Sequence, residues 1–249
     1  MSAPASTRQA WLIGASHGMG RELALQLADQ GWRLTLSARG EDALHEVARG
    51  CAARVLPLDA TDRAAVRQAA ISVFADCAPE LVMLNVGDYQ PMVATAFDVD
   101  LFERLNRVNY LTAVYLLDAV LPLMRDNGGQ ILFNVSASAY VGLPQAGPYS
   151  APKAALLNLA ESLQPELAAL GIRLRVINPG FVDSRLTRRN RFRMPFLLGA
   201  ADAARRIADE LGGRRFEIAF PRRLVWPLKL LRGLPYPLVF ALTRRMVSK

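Results

Sequence analysis

Cysteine is scarce in this 249-residue chain: Cys51 and Cys77 are the only two, with neither metal-ligand spacing nor a CxxC pair. A disulfide framework and a zinc site therefore lack their material, no metal is expected, and a reducing, cytoplasmic setting fits best. The opening MSAPASTRQA has no apolar stretch behind basic residues, so no secretory signal is expected. Internal repeats, linkers and low-complexity tracts are missing too. One domain is the expectation, and a hydrophobic content of 52% suffices to bury one sizeable core. Acidic residues thin out toward the C-terminus. Residues 185–249 hold 16 of the 30 basic residues and 4 of the 22 acidic ones, so the net charge of +8 sits wholly in the last quarter. There the basic residues alternate with Leu, Val, Phe, Trp and Pro, a pattern unlike a nucleic-acid face, and no nucleic-acid partner is expected.

What is present is an alternation of β-rich apolar runs with longer stretches of helical period. Strands are expected at Ala10–Gly14, Arg33–Ala38, Arg54–Pro57, Leu81–Asn85, Gln130–Val135, Arg173–Asn178 and Phe216–Phe220. Helices are expected at Gly20–Gln30, Glu41–Arg49, Arg63–Ala75, Val99–Arg125 (one helix or two), Pro152–Leu170 and Ala201–Leu211. Near-continuous apolar strands such as LVMLNV imply burial on both faces. The fold class is therefore α/β: a doubly wound, Rossmann-type parallel sheet of about seven strands with helices on both faces, spanning residues 1–220, with residues 221–249 as a basic-apolar extension of the same domain. Its ligand site should lie beyond the carboxyl ends of the strands.

The first strand runs into Gly14-Ala15-Ser16-His17-Gly18-Met19-Gly20 and then a helix. Glycines at such a junction let the backbone turn tightly against a pyrophosphate, and the helix N-terminus offers N–H groups and the positive dipole end. At the end of the second strand stands Ser37-Ala38-Arg39, with no carboxylate to accept from the adenosine ribose. Arg39 can instead pair with a ribose 2′-phosphate, which favours NADP(H) over NAD(H), and His17 adds a weaker vote.

Tyr149-Ser150-Ala151-Pro152-Lys153 places a phenol and an ammonium one helical turn apart on one face. A cation held there should lower the phenol's pKa and ready it for proton exchange. Pro152 is tolerated in a first turn, so the helix is expected to start there. Ser136 lies 13 residues before Tyr149, after the apolar strand QILFNV, where its hydroxyl can donate to a carbonyl oxygen as charge builds. Spacing alone does not separate it from Ser138; Ser136 is favoured.

The spacing Gly-x3-Gly-x-Gly, the Ser136 to Tyr149 separation and the Tyr-x3-Lys motif together resemble the classical short-chain dehydrogenase/reductase family, over about Trp11 to Phe220. Three positions depart from it: Ile13 replaces the familiar Thr before Gly14, Leu84 replaces a first Asn before Asn85, and Ser184 stands where Thr is more usual. The resemblance implies a Ser-Tyr-Lys-Asn mechanism through Ser136, Tyr149, Lys153 and Asn109, the last bending its helix to hold a water against the lysine. It implies a cofactor cleft formed by Gly14, Ser16, His17, Gly18, Met19, Gly20 and Arg39. Asp59 would contact adenine, Asn85 and Gly87 would face the cofactor, Tyr149 and Lys153 would bind the nicotinamide ribose, and the backbone of Pro179, Gly180 and Val182 would meet the carboxamide. The implied activity is hydride exchange between NADP(H) and a carbonyl or alcohol carbon. A 3-oxoacyl-thioester (ACP or CoA) reductase and a non-catalytic NADPH-binding module are the alternatives.

Substrate choice should reside in SRLTRRNRFRMPFLLG. Arg185, Arg188, Arg189, Arg191 and Arg193 suit either an anionic handle or a solvated edge, while Met194, Phe196, Leu197 and Leu198 suit either a lipophilic substrate or anchorage in the core. Residues 221–249 contain seven basic residues and no acidic one, and their longest uncharged stretch, Gly233–Thr243, is too short to span a bilayer. Three readings stay open for this tail: a segment on anionic lipid at the inner face of a membrane, a cover over the cleft, or an oligomer contact. The apolar helices 99–125 and 152–170 suit a homo-oligomer.

Overall fold

The computed structural model describes residues 8–190 and 192–247. Seven parallel strands form one sheet: β1 (Gln9–Ile13), β2 (Arg33–Ser37), β3 (Arg54–Val55), β4 (Leu81–Leu84), β5 (Gly129–Asn134), β6 (Ile172–Pro179) and β7 (Glu217–Phe220). Their order is β3-β2-β1-β4-β5-β6-β7. The order reverses direction between β1 and β4, and at that switch point a crevice opens beyond the strand ends. The strand side chains alternate between two cores as the pleat requires: Trp11 and Ile13 of β1 enter one, Ala10 and Leu12 the other.

The first core is covered by α3 (Arg63–Asp76), α5 (Thr112–Met124) and α6 (Gly147–Ala169); the second by α1 (Gly18–Asp29), α2 (Glu41–Cys51) and α7 (Ala200–Glu210). This is the expected doubly wound fold. Strand β3 is shorter than expected, although Leu56 and Leu58 continue to donate to Leu36 and Ala38 of the β2 edge before and after Pro57.

Most helix ends fall within two residues of expectation, but two stretches differ by more. The stretch 99–125 is neither one regular helix nor two separate ones: α4 (Val99–Asn106) passes through a π-helical segment, Arg107–Leu111, into α5. Helix α6 begins at Gly147 rather than at Pro152. Pro148 already occupies its first turn, where a missing N–H is harmless, so Pro152 lies one turn in and its absent N–H leaves only the Pro148 carbonyl without its helical donor.

Beyond β7 the tail folds as α8 (Arg222–Arg232) and α9 (Tyr236–Arg244). Val225 inserts into the first core. Gly180 makes that approach possible, since a Cβ there would stand 2.5 Å from Leu224 Cδ2. The buried side of the tail is fastened by Glu217, whose carboxylate accepts from Tyr140, Lys229 and Asn178.

Candidate active site

The turn after β1 is held by backbone contacts that a side chain would prevent. Gly14 has φ +91°, and a Cβ there would stand 2.7 Å from the Asn85 carbonyl oxygen; a Cβ on Gly20 would stand 2.2 Å from the Gly14 carbonyl. Gly14 and Ala15 N–H groups both donate to the Ser37 carbonyl, at 2.7 and 3.3 Å, so the end of β2 fixes the turn despite Ile13. Helix α1 starts here with His17 as its N-cap residue, whose side chain makes no capping bond. Its first-turn N–H groups therefore take no bond from the N-cap side chain, and with the positive end of the helix they suit a pyrophosphate. Ser16 and His17 bond to each other, Oγ to Nδ1 at 3.0 Å, while Met19 packs into the second core, leaving its backbone to serve the turn.

Asn85 braces the same turn. Its amide donates to the Gly14 carbonyl at 3.0 Å, and its Oδ1 accepts from Asn134 Nδ2 at 2.7 Å. Leu84 is wholly buried in the first core, so the bracing that a preceding Asn would provide comes from Asn134 on the neighbouring strand. Sequence reasoning missed Asn134; its place two residues before Ser136 at the end of a strand was the available signal.

At the far edge, Arg39 and Asp59 are exposed, two residues beyond β2 and four beyond β3. Burial alone would raise the Asp59 pKa, but two hydrogen bonds from Thr61, backbone N–H and hydroxyl, together with the Arg39 charge, hold it below the ordinary carboxylate value. The His17 imidazole is shifted down, by burial first and then by the charge of Arg185, which weakens its claim as a cation at neutral pH.

Across the switch point, Tyr149, Ser136, Lys153 and Asn109 come together. Ser136 lies close enough to the Tyr149 phenol to lower its pKa. Ser136 Oγ also accepts from the Ser138 N–H at 3.1 Å and its hydroxyl at 3.0 Å, so Ser138 acts on Ser136, and Ser136 meets the phenol. Lys153 Nζ lies 5.9 Å from the Tyr149 ring centre, on the same helix face, and donates to the Asn134 carbonyl at 2.8 Å. Asn109 sits in the π segment, a common device for re-aiming a helix at a functional site. Its amide donates to the carbonyls of Asp88 and Leu105, both at 2.9 Å, and its Oδ1 accepts from the Asp88 N–H at 3.2 Å. Gly87 lies between: a Cβ there would be 3.3 Å from Asn109 Oδ1 and 3.9 Å from Lys153 Nζ.

The electrostatics correct one expectation. Burial raises the Tyr149 pKa to about 12, with Tyr89 adding to the rise and Ser136 only partly opposing it. Burial also drives the Lys153 ammonium down to about 7. The cation expected to stabilise a phenolate is thus itself partly discharged at neutral pH.

Beyond β6, Pro179 is buried and pairs with Phe220, while Val182 bridges to Leu198 and its carbonyl accepts from the Thr187 hydroxyl at 2.8 Å. Gly18 faces this loop, its Cβ position 3.9 Å from Ser184 Cβ. In the following segment Leu198 joins the second core, whereas Phe192, Phe196 and Leu197 are exposed. Arg188 pairs with Asp183 at 3.5 Å, and Arg189 with Asp88 at 2.8 Å; Arg191 lies outside the described residues. Two further residues unread in the sequence close the site: Tyr89 packs edge-on against Tyr149, ring centres 5.2 Å apart, and Asp88 links Arg189 to Arg104.

Comparison with known proteins agrees with this geometry. The family model described as short chain dehydrogenase matches residues 8–194, about three-quarters of the chain. The chain belongs to the short-chain dehydrogenases. This short-chain dehydrogenase is 35% identical over 248 residues to an oxidoreductase of Myxococcus xanthus (strain DK1622), covering 97% of this chain and 98% of that one. Among solved structures it is similar to a short chain dehydrogenase from Burkholderia cenocepacia J2315 in complex with NADP (TM-score 0.83, 25% identity, covering 94% of this chain and 96% of that one). It also shares its fold with a short chain dehydrogenase/reductase from Burkholderia phymatum in complex with NAD (TM-score 0.81, 22% identity, covering 91% and 93%). This dehydrogenase is thus an oxidoreductase of that family, and the structures similar to it include one complex with NADP and one with NAD.

Proposed function

We propose that this chain is an NADP(H)-preferring carbonyl reductase or alcohol dehydrogenase for a lipophilic small molecule, with Tyr149 as general acid and base. The observation that carries this reading is the gathering of three side chains: Ser136 acts on the Tyr149 phenol, and the buried Lys153 lies on the same helix face as Tyr149. A bound nicotinamide would supply the hydride in reduction or take it up in oxidation. Ser136 is placed to donate its hydroxyl to a carbonyl oxygen and steady the charge that develops there. Tyr149 is protonated at neutral pH, as an ordinary phenol would be, and burial holds its pKa still higher, at about 12; this is the form needed to give that oxygen a proton. Lys153 would hold the ribose hydroxyls, and Asn109 fixes the end of β4 against the lysine through both backbone groups of Asp88.

The residues present fit a dinucleotide: two glycines pressed backbone to backbone, an uncapped helix N-terminus above them, and Arg39 at the adenosine end in place of a carboxylate. A guanidinium there supports NADP(H) over NAD(H). The exposed Phe192, Phe196 and Leu197 support an apolar acceptor. Arg188 and Arg189 are engaged by Asp183 and Asp88, which takes two positive charges away from any acyl-carrier or CoA handle and makes a thioester reductase the weaker reading.

The test is turnover. NADPH absorbance should fall in the presence of at least one member of a panel of apolar ketones and aldehydes, and Tyr149→Phe should slow that turnover by about a thousand-fold while NADPH still binds. A Tyr149→Phe protein as fast as the parent would remove this mechanism. NADPH binding without turnover of any carbonyl or alcohol would leave the non-catalytic module standing.

A further inference from the structure

The tail presents an apolar surface that none of the described residues covers. In α9 the side chains of Val239 and Thr243, one turn apart, are buried against the core, yet Tyr236, Leu238, Phe240 and Leu242 on the other faces are apolar as well and stand exposed. A helix that is apolar all round belongs in an apolar setting. Tyr236 and Phe240 stack on its outer side with ring centres 5.7 Å apart. Helix α8 adds Trp226, 60% exposed, and Leu230, and the turn after α9 adds Met246 and Val247. Contiguous exposure of this kind marks a contact surface.

Charge identifies the occupant. Residues 221–249 carry seven basic side chains and no acidic one. Lys229 and Arg232 turn inward to Glu217 and Glu161 and hold the tail to the body. Arg222, Arg223 and Arg244 are exposed beside the apolar residues. A second copy seated tail to tail would set these charges against their own kind. An anionic lipid surface meets both properties: it accepts apolar side chains at the acyl boundary, attracts the arginines, and suits Trp and Tyr at the headgroup level. No helix among the described residues is long and apolar enough to cross a membrane, so the helices would lie in the interface. We propose that α8 and α9 form a docking face for an anionic bilayer surface, a property independent of the reaction assigned above.

The test is co-sedimentation of the full chain with vesicles of phosphatidylcholine alone and of phosphatidylcholine mixed equally with phosphatidylglycerol. Binding should require phosphatidylglycerol and weaken with salt. Replacing Arg222 and Arg223 by Ala should lower affinity by about five-fold per charge, and Leu238→Glu with Phe240→Glu by about ten-fold or more. The unaltered protein supplies a measurement that needs no variant. Trp11 and Trp32 are buried, so a blue shift of tryptophan emission on adding anionic vesicles reports Trp226. Equal sedimentation with both vesicle types, or an emission spectrum that anionic vesicles leave unchanged, overturns the proposal. So does a Leu238→Glu, Phe240→Glu protein that binds lipid as before but changes its size on gel filtration, a result that assigns the face to a second copy.

Discussion

Lys153 points its ammonium at the Asn134 carbonyl, 2.8 Å away. Only 2% of the residue is exposed, and that single carbonyl does not offset the loss of water, so burial brings its pKa down to about 7. In the unfolded chain the same amine titrates near 10.5. Between about pH 7 and about pH 10 the unfolded chain therefore holds a proton that the folded protein has released. Protonation favours unfolding in that window, and stability gains from this group as pH rises, by up to about 1.4 kcal/mol per pH unit. Denaturant unfolding of the cofactor-free protein across that range should show the gain, and Lys153→Met should flatten it. Parallel pH curves for the two proteins would refute the assignment.

Arg39 should decide between the two dinucleotides. It stands exposed just beyond β2, and its charge acts on Asp59, four residues beyond β3. Arg39→Asp should weaken NADPH binding by about ten-fold or more, since a charge-assisted pair is lost and a repulsion gained, and should strengthen NADH binding. Fluorescence titration with both cofactors measures this. Equal affinities for both in the unaltered protein would remove Arg39 from the site.

Asn134 should matter to the turn after β1 although it touches none of it. It holds Asn85, which holds the Gly14 carbonyl. Asn134→Ala would strand the Asn85 Oδ1 in the interior and should lower stability by about 1–3 kcal/mol, with a weaker grip on NADPH. Because Asn85 carries the effect, the double variant with Asn85→Ala should lose less than the sum of the two single losses. Additive losses would show that the two side chains act separately.

The parts of this site that could be read from the chain are those whose chemistry is local. Strands were legible because a doubly buried strand is an unbroken apolar run, and the Tyr149 to Lys153 spacing carries its own helical geometry. Prolines misled. Pro152 reads as a helix start, but Pro148 had already taken that position. No helix was read in residues 221–249, yet Pro221 and Pro235 stand at N-caps and Pro237 in a first turn, positions where proline starts helices, and α8 and α9 form there. What could not be read at all were the long-range polar contacts. Asn134 on Asn85, Tyr89 on Tyr149 and Arg189 on Asp88 join residues 49 to 101 positions apart, and only the sheet order brings them together.

Arg189 is the most consequential of these contacts for substrate binding. From the loop after β6 its guanidinium donates to Asp88 Oδ1 at 2.8 Å and to the Tyr89 carbonyl at 2.5 Å, while Asp88 is also paired with Arg104. The backbone of Asp88 is in turn held by Asn109, and Tyr89 rests on Tyr149. One arginine thus ties the outer loop to the wall of the site. Half of its side chain is exposed, so the ion pair adds little to global stability, less than about 1 kcal/mol. What it orders is the loop, which carries the exposed Phe192, Phe196 and Leu197. Arg189→Ala should therefore leave unfolding and NADPH affinity nearly unchanged and raise KM for an apolar carbonyl by about five- to ten-fold, as expected when a closing segment loses its catch. Asp88→Asn should do the same, and the double variant should be no worse than either single one. A KM equal to that of the parent in all three proteins would mean that the loop is positioned by its own packing, with Leu198 in the core as its anchor.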